Sequence, residues 1–185
     1  MNAERSSLEF ASALVAPGAN LDRGDNMDLY AWLIGSWTPK LTEFDRDGSR
    51  QERTGEWHFG WVLEGRAIQD VWIVPERARR GANIAGEAEY YGTTFRVYDP
   101  RIDAWRIQWI DPVVQAYLTM VGRRQGADIV QEGSDSTGHR RRWSFSEIAH
   151  DSFRWRGEVS SDDGQSWFLN MEYFARRTQS VAQAA

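Results

Sequence analysis

The chain of 185 residues contains no cysteine. That absence excludes disulfides, thiolate metal sites and cysteine nucleophiles together, and it points to a reducing compartment, so a cytoplasmic location is expected. Long apolar runs are missing as well. The opening MNAERSSLEFASALVAPG is interrupted by Glu4, Arg5 and Glu9 where a secretory leader needs unbroken apolar residues, and no later stretch approaches membrane-spanning length. Positive charge is in deficit. The formal net charge of -5 disfavours a nucleic-acid partner, because neutralising phosphates needs a dominant basic face. The three histidines, His58, His139 and His150, have no metal-ligand spacing. No metal and no cofactor is therefore expected, although a haem held by one histidine is left open.

Tryptophan, by contrast, is abundant, with ten residues. Indole rings favour pleated surfaces and bring a large apolar area with one polar atom, which suits strands lining a core or a pocket. The length fits one ordinary domain that buries its core without covalent staples. Helical signals are confined to the start: Ser6 with Glu9 reads as a capping box, Pro17-Gly18 as a stop, and Asp25 to Ile34 as a second helix closed by Gly35. From Trp37 onward, short alternating runs predict about ten strands near 36–45, 50–62, 66–74, 87–98, 104–110, 113–123, 127–135, 139–147, 152–161 and 165–176. The expected division is an N-terminal extension over 1–24, partly helical or disordered, a β-barrel domain with a leading helix over 25–176, and a disordered tail over 177–185.

The turns share a chemical form. Arg46-Asp47-Gly48, Arg124-Gln125-Gly126, Ser136-Thr137-Gly138 and Asp162-Asp163-Gly164 each end in glycine, as a three-residue hairpin loop requires for its left-handed third position. Loop length fixes register, and a one-residue slip would reverse every face. The first loop sets Trp37 opposite Trp57; the third sets Gln131 by Trp143, Ile129 by Phe145 and Glu132 by Arg142. A connection at 148–151 sets Trp143 by Trp155, and the last loop sets Met171 by Trp155 and Arg154 by Glu172. One face is then aromatic and the other wet. No amphipathic helices are available to cover the aromatic face, so the sheet is expected to close on itself as an all-β, antiparallel up-and-down barrel of about ten strands, roomy enough for an internal cavity.

Leu33, Gly35 and Trp37 before the first strand, then VLEGR, YGTTFRVYDP, and SDDGQSW before the last, resemble a bacterial lipocalin-like family of the calycin type, of unknown function, over roughly residues 27–176. The resemblance implies a ligand-holding barrel and carries over no catalytic residue. The Gly-x-Trp-x-Gly-x-Gly run of the related haem-binding barrels is missing.

The ligand expected is a small apolar or amphipathic molecule, with an anionic head allowed. Its binding residues would be Trp57, Trp72, Trp109, Gln131, Arg141, Trp143, Trp155 and Tyr173, with Arg141 set beside Gly133 and Gly157, whose missing side chains leave it room. The alternative is an enzyme that uses the same cavity for isomerisation, cyclisation or hydration with His58 and Asp70 as acid–base groups, the carboxylate orienting the imidazole. Register decides whether they meet. A three-residue Leu63-Glu64-Gly65 loop pairs His58 with Asp70 on the outer face, whereas a Glu64-Gly65 turn sends Asp70 and Trp72 inward beside Phe59 and Trp57. No serine is identifiable within reach of the histidine, so no triad is argued. Arg77, Arg79 and Arg80 lie in a long 75–87 connection that reads either as a lid over the cavity mouth or as a solvated loop. Leu29, Tyr30, Leu33 and Ile34 have the spacing to plug one barrel end, and Leu8, Phe10, Leu14 and Val15 are candidates for contact with a second subunit in a homodimer.

Overall fold

The computed structural model describes residues 2–80 and 89–178. Helix α1 (Asn2–Leu14) leads into a two-residue strand, β1 (Val15–Ala16), a 3-10 segment (Leu21–Met27) and the single turn α2 (Asp28–Ala31). The barrel follows: β2 (Gly35–Phe44), β3 (Arg50–Thr54), β4 (Glu56–Val62), β5 (Ala67–Val74), β6 (Tyr90–Asp99), β7 (Ala104–Asp111), β8 (Ala116–Gln125), β9 (Asp128–Asp135), β10 (Arg140–Ser146), β11 (Ser152–Ser160) and β12 (Phe168–Arg177). Strands β3 and β4 are one long run interrupted at Gly55. A side chain at Gly55 would come within 2.4 Å of the Ile73 carbonyl, so glycine lets β5 approach there. Counted that way, ten antiparallel strands pair each with the next, and β12 pairs with β2 to close the ring.

The sequence-based registers hold where the loop is of the three-residue kind. Trp37 faces Trp57, and Gln131, Glu132 and Ile129 face Trp143, Arg142 and Phe145. Elsewhere the loops differ. Gly126 opens a two-residue turn in which Gln125 pairs with Asp128, so Arg124-Gln125-Gly126 is not a loop of the expected type. Phe145 faces Trp155, and Trp143 faces Gly157, two positions from the expected pairing. The Asp162 loop is longer than three residues because its carboxylate collects Ser160 Oγ at 2.6 Å and the Ser166 amide at 2.9 Å. With a bulge at Gly157/Glu158, this brings Tyr173 rather than Met171 opposite Trp155, and Glu172 opposite Arg156.

The N-terminal segment closes one end of the barrel. Helix α1 starts ahead of Ser6, which lies inside it instead of capping it, and Arg5 pairs with Glu9 at 3.2 Å. Leu8, Phe10 and Val15 are exposed. The helix expected over Asp25–Ile34 is reduced to the one α-turn Asp28–Ala31, preceded by the 3-10 segment, and side chains take the carbonyls left open beyond its C-terminal end. Trp37 Nε1 donates to Leu33 O at 2.7 Å, and the Arg177 guanidinium donates to Trp32 O and Ile34 O, both at 2.8 Å. Met27, Tyr30 and Leu33 are fully buried, with Tyr30 edge-on to Trp105 at 5.0 Å and Trp32 edge-on to Phe153 at 5.3 Å. Below the middle of the barrel, Ile68, Ile107, Ile129, Phe145 and Phe153 fill the interior. Among the described residues no helix is long and apolar enough to cross a membrane.

Candidate functional site

The other half of the barrel is hollow. Trp57, Trp72, Trp109, Arg141, Trp143, Trp155 and Tyr173 share the wall of a cavity of about 230 Å³, and Val114, 42 % exposed, stands at its mouth. The strand period places them: each points inward from a strand whose neighbouring residues point out. The rings brace one another. Trp155 stacks on Tyr173 at 4.4 Å, Tyr173 on Trp72 at 5.5 Å, and Trp143 meets Trp155 edge-on at 5.3 Å. Met171, set on the aromatic face by the loop count, lines it too, and so do Tyr90, Thr94, Leu118 and Asn170, which went unnoticed in the sequence, where nothing marks their positions as facing a void.

The polar groups of this half are arranged in pairs. Arg141 donates from Nε at 2.8 Å and from Nη2 at 2.7 Å to the Asp135 carboxylate. Burial of Asp135 opposes its ionisation, but hydrogen bonds from Thr137 and Arg141 outweigh it and hold the carboxyl below its usual range. Next to the lining residue Tyr90, Arg53 pairs with Glu43 at 2.9 Å, and Tyr90 Oη donates to Glu43 at 2.6 Å. Burial and then this carboxylate push the Tyr90 phenol well up.

The glycines near Arg141 serve other ends. A side chain at Gly133 would lie 1.9 Å from the Thr119 carbonyl, so it is the approach of β8 that demands glycine. Gly157 faces Trp143 instead of Arg141 and makes room for the Trp155 ring, 2.7 Å from where its Cβ would be.

Gln131 does not reach the cavity. It is buried behind the wall next to Tyr30: a side chain at Gly122 would touch Tyr30 Oη at 2.4 Å and Gln131 Cγ at 3.3 Å. Among the described residues, neither amide atom of Gln131 nor Tyr30 Oη has a hydrogen-bond partner.

The alternative registers of β4 and β5 are resolved. A four-residue turn, Leu63 to Arg66, joins Val62 to Ala67, with Leu63, Glu64 and Gly65 all at positive φ. Its parity is that of the Glu64-Gly65 turn, so Trp72 faces Trp57 and Asp70 faces Phe59, both inward. His58 points out. The two proposed acid–base residues therefore lie on opposite faces of the sheet, and the structure does not assemble them as a pair. Asp70 is bound to Arg96 and accepts the Thr94 amide at 3.2 Å, just behind the cavity wall. His58 sits in an outer row: Ser36 Oγ lies 2.9 Å from Nδ1, and Glu56 Oε2 lies 2.9 Å from Nε2. The register that sets Trp37 against Trp57 also sets Ser36 against His58, so this serine was legible in the sequence and was missed. Arg77 donates to Glu56 from its backbone and side chain at 2.6 and 2.8 Å. Arg80 donates to Tyr90 O at 2.9 Å and Val74 O at 3.3 Å, tying the two ends of the 75–89 connection. The remainder of the expected lid, 81–87, and the end of the tail, 179–185, lie outside the described residues. None of the three histidines lines the cavity.

No protein-family model matches the chain, and no curated protein matches it. Solved structures do. Rv2717c from M. tuberculosis superposes with a TM-score of 0.58 at 14% identity, over 83% of this chain and 98% of that one. The S-type phycobiliprotein lyase CPES from Guillardia theta gives 0.56 at 10% identity, over 83% of this chain and 92% of its own. At such identities the likeness is one of fold, and it agrees with the strand order and the closure described above: the chain forms a closed antiparallel β-barrel.

Proposed function

We propose that the barrel binds a small apolar or amphipathic molecule in its aromatic cavity, with Arg141 giving direction to a polar or anionic head. The observation that supports this reading most is the contrast between the two halves of the interior. One half is filled by buried side chains, while the other keeps about 230 Å³ open behind five tryptophans. An unfilled apolar void forfeits dispersion contacts and destabilises a fold, so its retention beside a tight core fits a ligand site better than a packing defect. The lining is mostly ring surface, with polar atoms at few points, as in sites where burial supplies affinity and a few groups supply orientation.

Native mass spectrometry of protein purified from its own host tests the proposal directly. A retained small molecule, displaced by apolar competitors that also quench tryptophan fluorescence, is the expected result. Protein that carries nothing, and whose fluorescence no apolar or amphipathic compound alters at one-to-one stoichiometry, overturns it.

A further inference from the structure

We infer that Asn170 sets the selectivity of the cavity, its carboxamide holding the polar end of the ligand at the mouth. The ligand then enters apolar end first and carries a neutral head able both to give and to accept a hydrogen bond. The inference rests on the ligand-binding reading above and deepens it with a ligand class and an orientation. It is carried by the way Asn170 is aimed, by what its carboxamide lacks, and by the distribution of polar groups along the wall.

Alternation lets only every second residue of a strand face the interior. On β12, Tyr173 and Met171 already do so, and Asn170 beside Met171 would ordinarily face out. It lines the cavity all the same. The cause is the bulge opposite Gly157/Glu158: Met171 pairs with Gly157 and Leu169 with Glu158, which leaves Asn170 without a counterpart on β11. An extra residue of this kind bends its strand and re-aims its side chain, a device common at barrel rims and beside binding sites. The carboxamide lies against the bare backbone of Gly157, where a Cβ would be 3.6 Å from Asn170 Oδ1.

A carboxamide offers two donor hydrogens and an acceptor oxygen. Among the described residues, neither the nitrogen nor the oxygen of this one has a hydrogen-bond partner. Asn170 is only half-buried, so a group lying in the mouth can reach it.

The inner wall offers a polar head nothing comparable. Trp57, Trp72, Trp155 and Tyr173 are 3–5 % exposed, the indole nitrogens of the three tryptophans are sealed within the wall, and Tyr173 Oη donates to Met171 Sδ. Towards the mouth the balance reverses. Arg141 is the second residue of β10 and Asn170 the third of β12, each next to a loop at the end of the barrel where Val114 stands. The charge of Arg141 is balanced by Asp135, which takes Nε and Nη2, so this rim favours hydrogen bonding over net charge. An amide, imide or lactam joined to an apolar ring system meets these terms. Anything attached beyond that head runs out into solvent.

Calorimetry on the full chain tests this with four probes: naphthalene, 2-naphthamide, and 2-naphthamide carrying a short polyethylene glycol chain either on the amide nitrogen or on the far ring. Wild type should bind 2-naphthamide one-to-one and about tenfold more tightly than naphthalene, the effect of one or two net hydrogen bonds. Asn170→Leu, a change of similar size, should remove most of that preference and leave naphthalene binding in place. The chain on the amide nitrogen should leave affinity nearly unchanged, whereas the chain on the far ring should abolish binding. A wild type that does not prefer the amide, or a preference that survives Asn170→Leu, would remove Asn170 as a selector. Any pattern other than retention of the nitrogen-linked probe and loss of the ring-linked one would overturn the orientation, and that comparison uses wild type alone, so it stands even where the variant fails to fold. If wild type binds none of the four, the ligand-binding reading itself falls.

Discussion

Asp70 and Arg96 meet as an ion pair inside the barrel, with both side chains wholly removed from solvent. The guanidinium also lies over the rings of Tyr30, Phe59 and Phe145 at 5.5 to 6.0 Å, and its Nε and Nη2 have no acceptor among the described residues. Such a pair stabilises little relative to a well-packed apolar replacement, but losing one member strands a charge in a medium that cannot solvate it. The pair marks the boundary between the filled and the hollow halves.

Asp70→Asn should therefore cost about 3–5 kcal/mol of stability, and adding Arg96→Met should restore most of it. Urea unfolding of the two variants and the wild type checks this. A double variant no more stable than Asp70→Asn would mean that the pair is not the source of the loss.

Gly92→Ala probes the cavity wall. The added Cβ would sit 2.3 Å from Trp109 Cη2 and 2.9 Å from the Ile110 carbonyl, so the indole must shift. A loss of about 1–3 kcal/mol in stability is expected, together with weaker binding of any cavity probe. Unchanged affinity, measured by fluorescence quenching, would place the binding surface away from Trp109.

Arg141→Met should weaken 2-naphthoate by about tenfold to a hundredfold, the range of a charge-assisted hydrogen bond, and change naphthalene far less. Equal losses for both compounds, read by calorimetry, would remove Arg141 as an anchor.

The outer row predicts acid sensitivity. Burial would raise the Glu56 carboxyl, but the hydrogen bonds from Arg77 and His58 outweigh it and bring the pKa to about 2 from an ordinary value of 4.5. A carboxylate depressed on folding stabilises the native state fully above its unfolded pKa, and that contribution disappears as pH falls through the folded value. Melting temperature should accordingly drop between about pH 4.5 and pH 2. Glu56→Gln should be less stable than wild type near neutrality and flatter across that window. Parallel curves for the two proteins would assign the acid loss to other carboxylates, of which Asp99 and Asp162 are also held low, by Arg101 and Ser160 first among their partners.

The strands and the aromatic interior were legible because period-two alternation and loop parity are local properties. Shifting β11 by two positions against β10 changes which ring meets Trp143 but leaves every ring on its face, so the convergence of Trp57, Trp143, Trp155 and Tyr173 survived an incorrect pairing. What escaped was set by side chains acting beyond their own strand. The Asp162 carboxylate lengthens its loop through Ser160 and Ser166, and Leu63 and Glu64 adopt left-handed backbone that residue type does not advertise. Asp70 illustrates the limit: alternation admitted two faces for it, and only the turn geometry chose the one occupied by Arg96.

Closure of the ring by β12 against β2 has a bearing on how the protein is made. Thr38 and Thr178, hydrogen-bonded at 3.1 Å, are 140 residues apart, so the seam forms between the opening and the end of the barrel sequence. During translation β2 must wait with one side bare until Phe168–Arg177 has left the ribosome. A nascent chain halted before Phe168 is an open ribbon with two unprotected borders and a row of indoles facing water, the form most prone to stick to its neighbours.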